Sequence, residues 1–378
     1  MIKNRILFSL FLVLLFACGE KQESSQEDGN SNEWELVILD SIQVDILGEI
    51  STGDFRDNVG VLYDNKRNTL FKIDLEGNIL SQKEYPTTGP ESFQFLTTVE
   101  IDSLGGIYIL NFMNVFYYLD NDLTIAKKME MPFPSTSFDG ATDSKAFSFY
   151  TDKIIMWYAG RDEKSPYAKY FLRDEFLLEK FDPKTGESSP MLRSPTTSKF
   201  STDQLYDRPT ISFDIQGDML YLAFSNEPSI HVFDLAKDGA FIESLAFNPN
   251  EFILGEALKD EYEYNDFSKL VEGRIQAVYV DEKNLVVHFW GGMNEEQFAI
   301  GDYSNPDNFM KVFDQLDNYF KIHTAENGWS DEILIPKKVS TIFEIGTIDK
   351  PFFALRNDEY LGEEQDFITF YKLQLIKK

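Results

Sequence analysis

The sequence predicts an all-β fold, a six-bladed β-propeller, on three observations. Short alternating strands rich in Ile, Val, Phe and Tyr fill residues 34–378, separated by turns of Asp, Asn and Gly. A strand that ends in Asp and runs into a turn recurs five times along that stretch. A second hairpin precedes most of these copies, so each unit supplies four strands, a to d, in meander order. Hydrophobic residues make up 43% of the chain, enough for a sizeable core.

The five units occupy residues 70–74, 116–120, 178–182, 230–234 and 298–302, closing on Asp74, Asp120, Asp182, Asp234 and Asp302. An Asp at that place accepts hydrogen bonds from the backbone just beyond it and so closes a c–d turn. The upstream a–b hairpins have a strands ending on Asp102, Asp214 and Asp281 and turns over 103–106, 215–218 and 282–284, with weaker versions near Asp152 and Asp349. The five Asp lie about 57 residues apart on average, so the body holds about six units. The sixth takes 337–355 and 366–375 for strands a, b and c, and strand-like 35–46 supplies its d strand, removing an exposed sheet edge. A β-sandwich with irregular insertions is the competing architecture.

Residues 1–17 read as a signal peptide: Lys3 and Arg5 precede an apolar run over 6–17. That run is too short for a bilayer span, which needs roughly 20 residues. Leu15-Phe16-Ala17-Cys18 resembles the lipobox of bacterial lipoproteins. The resemblance implies a lipid on Cys18, the single cysteine, and loss of the peptide before it. Residues 18–33 then form an acidic flexible tether with almost nothing apolar to bury, similar to the surface-export signals of Bacteroidetes lipoproteins. The propeller domain follows as 34–378. Gly89-Pro90-Glu91-Ser92-Phe93-Gln94-Phe95, continuing to Ile101-Asp102 and Gly106-Ile107-Tyr108, resembles the NHL type of propeller repeat. Taken together, the chain is similar to six-bladed, NHL-like propeller lipoproteins of the Bacteroidetes. That similarity implies a fold and an outward-facing position at the outer membrane of the cell envelope. It implies no activity.

Loop lengths single out one face. In a propeller the a–b and c–d turns share one face, and the b–c and d–a connections share the other. The long segments, 159–173, 194–209, 248–273 and 320–336, are all assigned to b–c or d–a positions. Aromatic and Arg side chains anchor interfaces and stack on sugars or peptides. The candidate ligand face therefore comprises Tyr158, Arg161, Tyr167, Tyr206, Arg208, Arg274, Trp290, Trp329 and Arg356.

Catalytic signatures are sparse. With 35 Lys+Arg against 64 Asp+Glu, the net charge of −29 argues against a nucleic-acid partner. One Cys and three scattered His give no disulfide framework and no metal spacing, and no cofactor is expected. His231 and His288 sit in strands and read as core, with His288 a candidate for the channel mouth; His323 reads as a loop residue. With 64 acids, chance carboxylate pairs are certain. The reading is a lipid-anchored, non-enzymatic module that binds a protein, peptide or glycan of the envelope through the long-loop face. The alternative is an envelope hydrolase or lyase acting on glycans, with carboxylates or His288 at the central channel.

Overall fold

The computed structural model describes residues 32–378, apart from Pro90, 94–95, 134–144, 158–159, 162–163, 166–167, Lys169, 260–270, Ser304, 306–307 and 309–310. The signal peptide, Cys18 and the tether as far as residue 31 lie outside the described residues, as do Tyr158 and Tyr167. Glu33–Lys378 form one compact unit. No helix among the described residues is long and apolar enough to cross a membrane.

The strands form six separate antiparallel sheets, which rules out the sandwich. β1 (Trp34–Val44) comes first in the chain and belongs to the last blade. Blade 1 is β2 (Ile50–Arg56), β3 (Val59–Asp64), β4 (Thr69–Asp74) and β5 (Ile79–Glu84). Blade 2 is β6 (Leu96–Ile101), β7 (Ile107–Asn111), β8 (Val115–Leu119) and β9 (Ile125–Glu130). Blade 3 is β10 (Phe147–Tyr150), β11 (Lys153–Trp157), β12 (Leu178–Phe181) and β13 (Ser188–Met191). Blade 4 is β14 (Ile211–Gln216), β15 (Met219–Phe224), β16 (Ser229–Asp234) and β17 (Ala240–Ala246). Blade 5 has β18 (Arg274–Val280), β19 (Asn284–Trp290), β20 (Asn318–Thr324) and a split outer strand, β21 (Gly328–Trp329) and β22 (Ile333–Ile335), both pieces pairing with β20. Blade 6 is β23 (Val339–Ile342), β24 (Phe352–Arg356) and β25 (Ile368–Lys377), and β1 pairs with β25 from Trp34↔Lys377 to Val44↔Ile368. The N-terminal strand thus closes the ring as the d strand of the last blade.

The a strands of neighbouring blades pack on one another, β2 on β6, β10 on β14 and β14 on β18, so they line the central axis. Acids and hydroxyls tie them together. Asp54 Oδ2 accepts from Ile101 N at 2.7 Å, and Asp214 Oδ2 from Val280 N at 2.9 Å. Ser212 Oγ accepts from Val278 N at 3.0 Å, and Asp281 Oδ2 from Ile348 N at 3.0 Å. Outer strands such as β5 and β17 are largely exposed, while Phe116, Phe181, Phe213, Phe289 and Phe370 are sealed between sheets.

The turn chemistry holds in four of the five c–d units. Asp74 Oδ1 accepts from Glu76 N (3.0 Å) and Asn78 N (2.8 Å); Asp120 Oδ1 accepts from Asp122 N (3.0 Å) and Thr124 N (2.8 Å). Asp182 and Asp234 do the same for Lys184 and Ala236. The fifth unit is different. Residues 298–302 are not a c strand: Glu295–Ile300 is a short helix, started by an Asn294–Gln297 capping box. The real c strand is β20, which the sequence reading placed inside a long d–a loop; His323 is therefore in a strand. The long segment of blade 5 is residues 291–317, between strands b and c. It still falls on the long-loop face. Its helices bury Phe298, Val312 and Leu316 against Met293 and Val271, a small core of their own that explains why Phe298 mimicked a strand residue.

Candidate functional site

A cavity of about 1240 Å³ opens on the short-turn face, opposite the face singled out by loop length. The a–b turns of blades 1, 2, 3, 4 and 6 ring it, through residues such as Asn58, Ser103, Thr151, Gln216 and Thr347. Three of these hairpins use two-residue turns whose first residue has positive φ: Asp57 (53°), Thr151 (56°) and Gly217 (59°). This pins the register of the strand behind each turn. Asp54, Ser148 and Asp214 consequently occupy matching positions on β2, β10 and β14, three residues before the turn.

The floor is charged. Glu100 from β6, Asp214 from β14, Glu344 just after β23 and Lys145 just before β10 line the main cavity. Asp54 joins Glu100, Lys145 and Glu344 around a smaller adjoining cavity of about 60 Å³. Four blades thus each contribute one carboxylate to one lysine. Lys145 Nζ donates to Asp214 Oδ1 at 3.3 Å and is paired more tightly with Glu344 Oε1. Asp54 Oδ1 is buried without a hydrogen-bond partner among the described residues. Glu100 is 5% exposed, and among the described residues its carboxylate takes part in no hydrogen bond or ion pair.

Burial dominates the electrostatics here. It pushes Glu344 up to about 7 against the attraction of Lys145, with Asp214 and Asp54 adding to the rise. Burial raises Glu100 well above the usual glutamate range, opposed by Lys145 and reinforced by Asp54 and Glu344. Asp54 moves up as well, for the same reason, despite its bond from Ile101 N. Burial pulls Lys145 down, but Asp214, Glu344 and Glu100 outweigh it and hold its ammonium well above the usual lysine range. Taking a carboxylate out of water without a full set of partners is costly. Four carboxylates face one lysine on this floor.

The wall and rim differ from the floor. Arg56, Lys350 and Lys372 line the cavity and make no hydrogen bond or ion pair with their side chains among the described residues. Phe55 stacks on Phe353 with centroids 4.4 Å apart, and Tyr108 packs on Tyr118 (5.0 Å) and Phe149 (4.9 Å). Gly346 also lines the cavity, and a Cβ there would meet no atom within 4 Å.

The described members of the predicted ligand face are spread over the connections of blades 3 to 6. Arg161 donates to Glu179 Oε1 (2.5 Å) and to Ser188 O and Oγ. Tyr206 Oη bonds Gln204 (2.6 Å), with the Lys199 ammonium 4.7 Å over its ring; Arg208 is half-buried nearby. Arg274 and Trp290 are register partners on β18 and β19, and Trp290 Nε1 donates to Glu272 O at 2.9 Å. Trp329 Nε1 donates to Ala246 O at 2.8 Å, while Arg356 is paired with Asp358 and Glu363. The structure brings Tyr206 near Arg208, and Arg274 opposite Trp290. None of the described members of the predicted face lines the short-turn cavity.

His231 is fully buried, with Nδ1 2.8 Å from Ser244 Oγ, and burial lowers its pKa to about 4. His288 is buried on β19 beside Phe320, also lowered to about 4 by burial, and lines neither cavity. No cluster of three or more His, Cys, Asp or Glu among the described residues has metal-holding geometry. The floor residues Asp54, Glu100, Lys145, Asp214 and Glu344 escaped the sequence reading. The sequence pattern ends this strand at Asp214 with a turn over 215–218, whereas β14 runs on to Gln216 and Asp214 lies inside it. The available signal was an acid flanked by apolar residues, inside an a strand in Val99-Glu100-Ile101 and just beyond one in Phe343-Glu344-Ile345.

No family model matches the sequence, and neither does any curated protein. Solved structures do match in fold. A member of the DUF4221 family from Bacteroides vulgatus superposes with a TM-score of 0.64 at 13% identity, covering 92% of this chain and 100% of that one. A Bacteroides fragilis protein whose name describes it as exported superposes with a TM-score of 0.58 at 12% identity, covering 90% and 96%. At these identities the likeness is one of fold.

Proposed function

We propose that this chain is a binding propeller of the cell envelope, held to the outer membrane by a lipid on Cys18, that takes a peptide or glycan ligand into the cavity on its short-turn face. The observation that carries this reading is the cavity itself, which is larger than the 300–1,000 Å³ or so typical of small-molecule pockets and has a polar, incompletely paired floor. Aromatic faces on the wall supply stacking surface, and the rigid ring of a strands holds the floor in place. The lipobox-like Leu15-Phe16-Ala17-Cys18 and the exported Bacteroides protein of similar fold support the envelope location; the NHL-like segment in blade 2 supports descent from that repeat type.

The test is a thermal-shift screen of short peptides and oligosaccharides against the protein and against Gly346→Trp, which fills open space at the cavity wall. Ligands that stabilise the parent chain should lose their effect in Gly346→Trp. Ligands that stabilise both equally would place binding elsewhere, and residues 194–209 and 248–273 of the long-loop face would be next to be shortened. For the anchor, Cys18→Ser should move the protein from the membrane to the soluble fraction. A second reading is favoured by Glu344, which sits near 7 in the cavity floor and could serve as an acid in glycan cleavage. Turnover of a bound glycan that stops in Glu344→Gln would select that reading.

A further inference from the structure

We propose that the floor of the cavity seats a primary ammonium group of the ligand between Glu100 and Asp54, beside the ammonium already supplied by Lys145. This rests on the cavity reading above and names the chemical group that enters first. Three observations carry it. The floor already holds one ammonium, with Lys145 Nζ shared between Asp214 and Glu344. Around the smaller cavity beside that lysine two acceptors are left over: the carboxylate of Glu100, which makes no hydrogen bond or ion pair among the described residues, and the buried Oδ1 of Asp54. Glu100 lines both the large cavity and the small one, so a group entering from the short-turn face reaches it before the space that Asp54 closes off.

The size and the chemistry agree. The smaller cavity, about 60 Å³, has room for a water-sized group. An ammonium has three donors and no acceptor, which suits a site made of carboxylate oxygens, with the hydroxyl residue Thr98 also lining it. A second positive charge would reduce the imbalance between four carboxylates and one lysine. A metal ion fits less well, because no set of three His, Cys, Asp or Glu among the described residues has the geometry to hold one. Arg56, Lys350 and Lys372 also line the cavity and suit an anionic tail, which makes a zwitterionic peptide a better match than a simple amine.

A primary ammonium can come from a peptide N-terminus or from an amino sugar, and the test separates them. Triglycine, N-acetyltriglycine, glucosamine and N-acetylglucosamine would be titrated by calorimetry into the parent chain, Glu100→Gln, Asp54→Asn and Gly346→Trp. Asp54→Asn keeps a carbonyl oxygen for Ile101 N, so the inter-blade tie survives. The proposal expects triglycine, glucosamine or both to bind the parent chain at least tenfold more tightly than the acetylated form. It expects Glu100→Gln and Asp54→Asn each to lose at least tenfold, and Gly346→Trp to abolish binding. Tighter binding of triglycine identifies a peptide source, and tighter binding of glucosamine an amino sugar. Equal binding of free and acetylated forms, blocked by Gly346→Trp, would overturn the ammonium site and leave the cavity reading standing. Absence of binding by both amines, or unchanged affinity in Glu100→Gln, would also overturn it.

Discussion

The two faces of the ring handle charge and aromatic surface in different ways. On the long-loop face Arg161 and Arg356 are bound to acids, and Trp290 and Trp329 donate to backbone carbonyls. These anchors hold long connections onto the blades. On the short-turn face the turns are brief, yet the channel behind them holds Glu100 and Asp54 Oδ1 with acceptor capacity left over. Loop length therefore locates the segments that need anchoring, while the short-turn cavity gathers carboxylates with unmet bonding capacity around one lysine.

The largest expected effect comes from removing the one lysine of the floor. Lys145→Met leaves buried carboxylates without their partner and should lower stability by about 3–5 kcal/mol in denaturant unfolding. Adding Glu344→Gln should recover part of that loss. On the other face, Arg356→Met breaks pairs whose acids are half-exposed and should cost about 1 kcal/mol or less. Similar losses at the two positions would erase the contrast between the faces.

The pH dependence follows from the same floor. Glu344 has a folded pKa raised from 4.5 to about 7, so the stability linked to its protonated form is complete below about 4.5 and is lost as pH rises through about 7. Asp54 from β2 and Glu100 from β6 shift in the same direction, while Lys145 and Arg56 oppose the rise and Asp214 adds to that of Glu344. The unfolding temperature should therefore fall between pH 5 and pH 8, by an amount corresponding to a stability loss on the order of 3 kcal/mol. Glu344→Gln should flatten the profile. A profile that rises over this range would contradict the assignment.

Smaller effects test the anchors and the turns. Trp290→Phe and Trp329→Phe each remove one hydrogen bond to a backbone carbonyl and should cost about 1 kcal/mol. Asp74→Ala removes the acceptor of two backbone N–H groups and should cost about 1 kcal/mol, whereas Asp302→Ala, outside any c–d turn, should cost about 0.5 kcal/mol or less.

The last pair also marks how far the fold was legible. Strand alternation and turn-closing Asp located blades 1 to 4, and the unpaired N-terminal strand foretold the closure on β25, because these features depend on local backbone chemistry. Blade 5 misled. Phe298-Ala299-Ile300-Gly301-Asp302 imitates the strand–Asp signature, but its Phe packs beneath an insertion and its helix is set by Asn294 and Gln297. The count of six survived, since the true c strand lies only a little further along. The candidate site was much less legible. Glu100, Asp214 and Glu344 are ordinary acids in an acidic chain, and only closure of the ring brings them to one lysine. Nothing local distinguishes Lys145 from the other lysines.

The most direct measurement of the central claim is the affinity of one screened ligand, determined side by side for Gly346→Trp and for a chain with 194–209 shortened. The short-turn cavity predicts that Gly346→Trp abolishes binding and that the shortened loop leaves it within about twofold. Loss on shortening 194–209, with Gly346→Trp unchanged, would contradict the account and return the ligand to the opposite face.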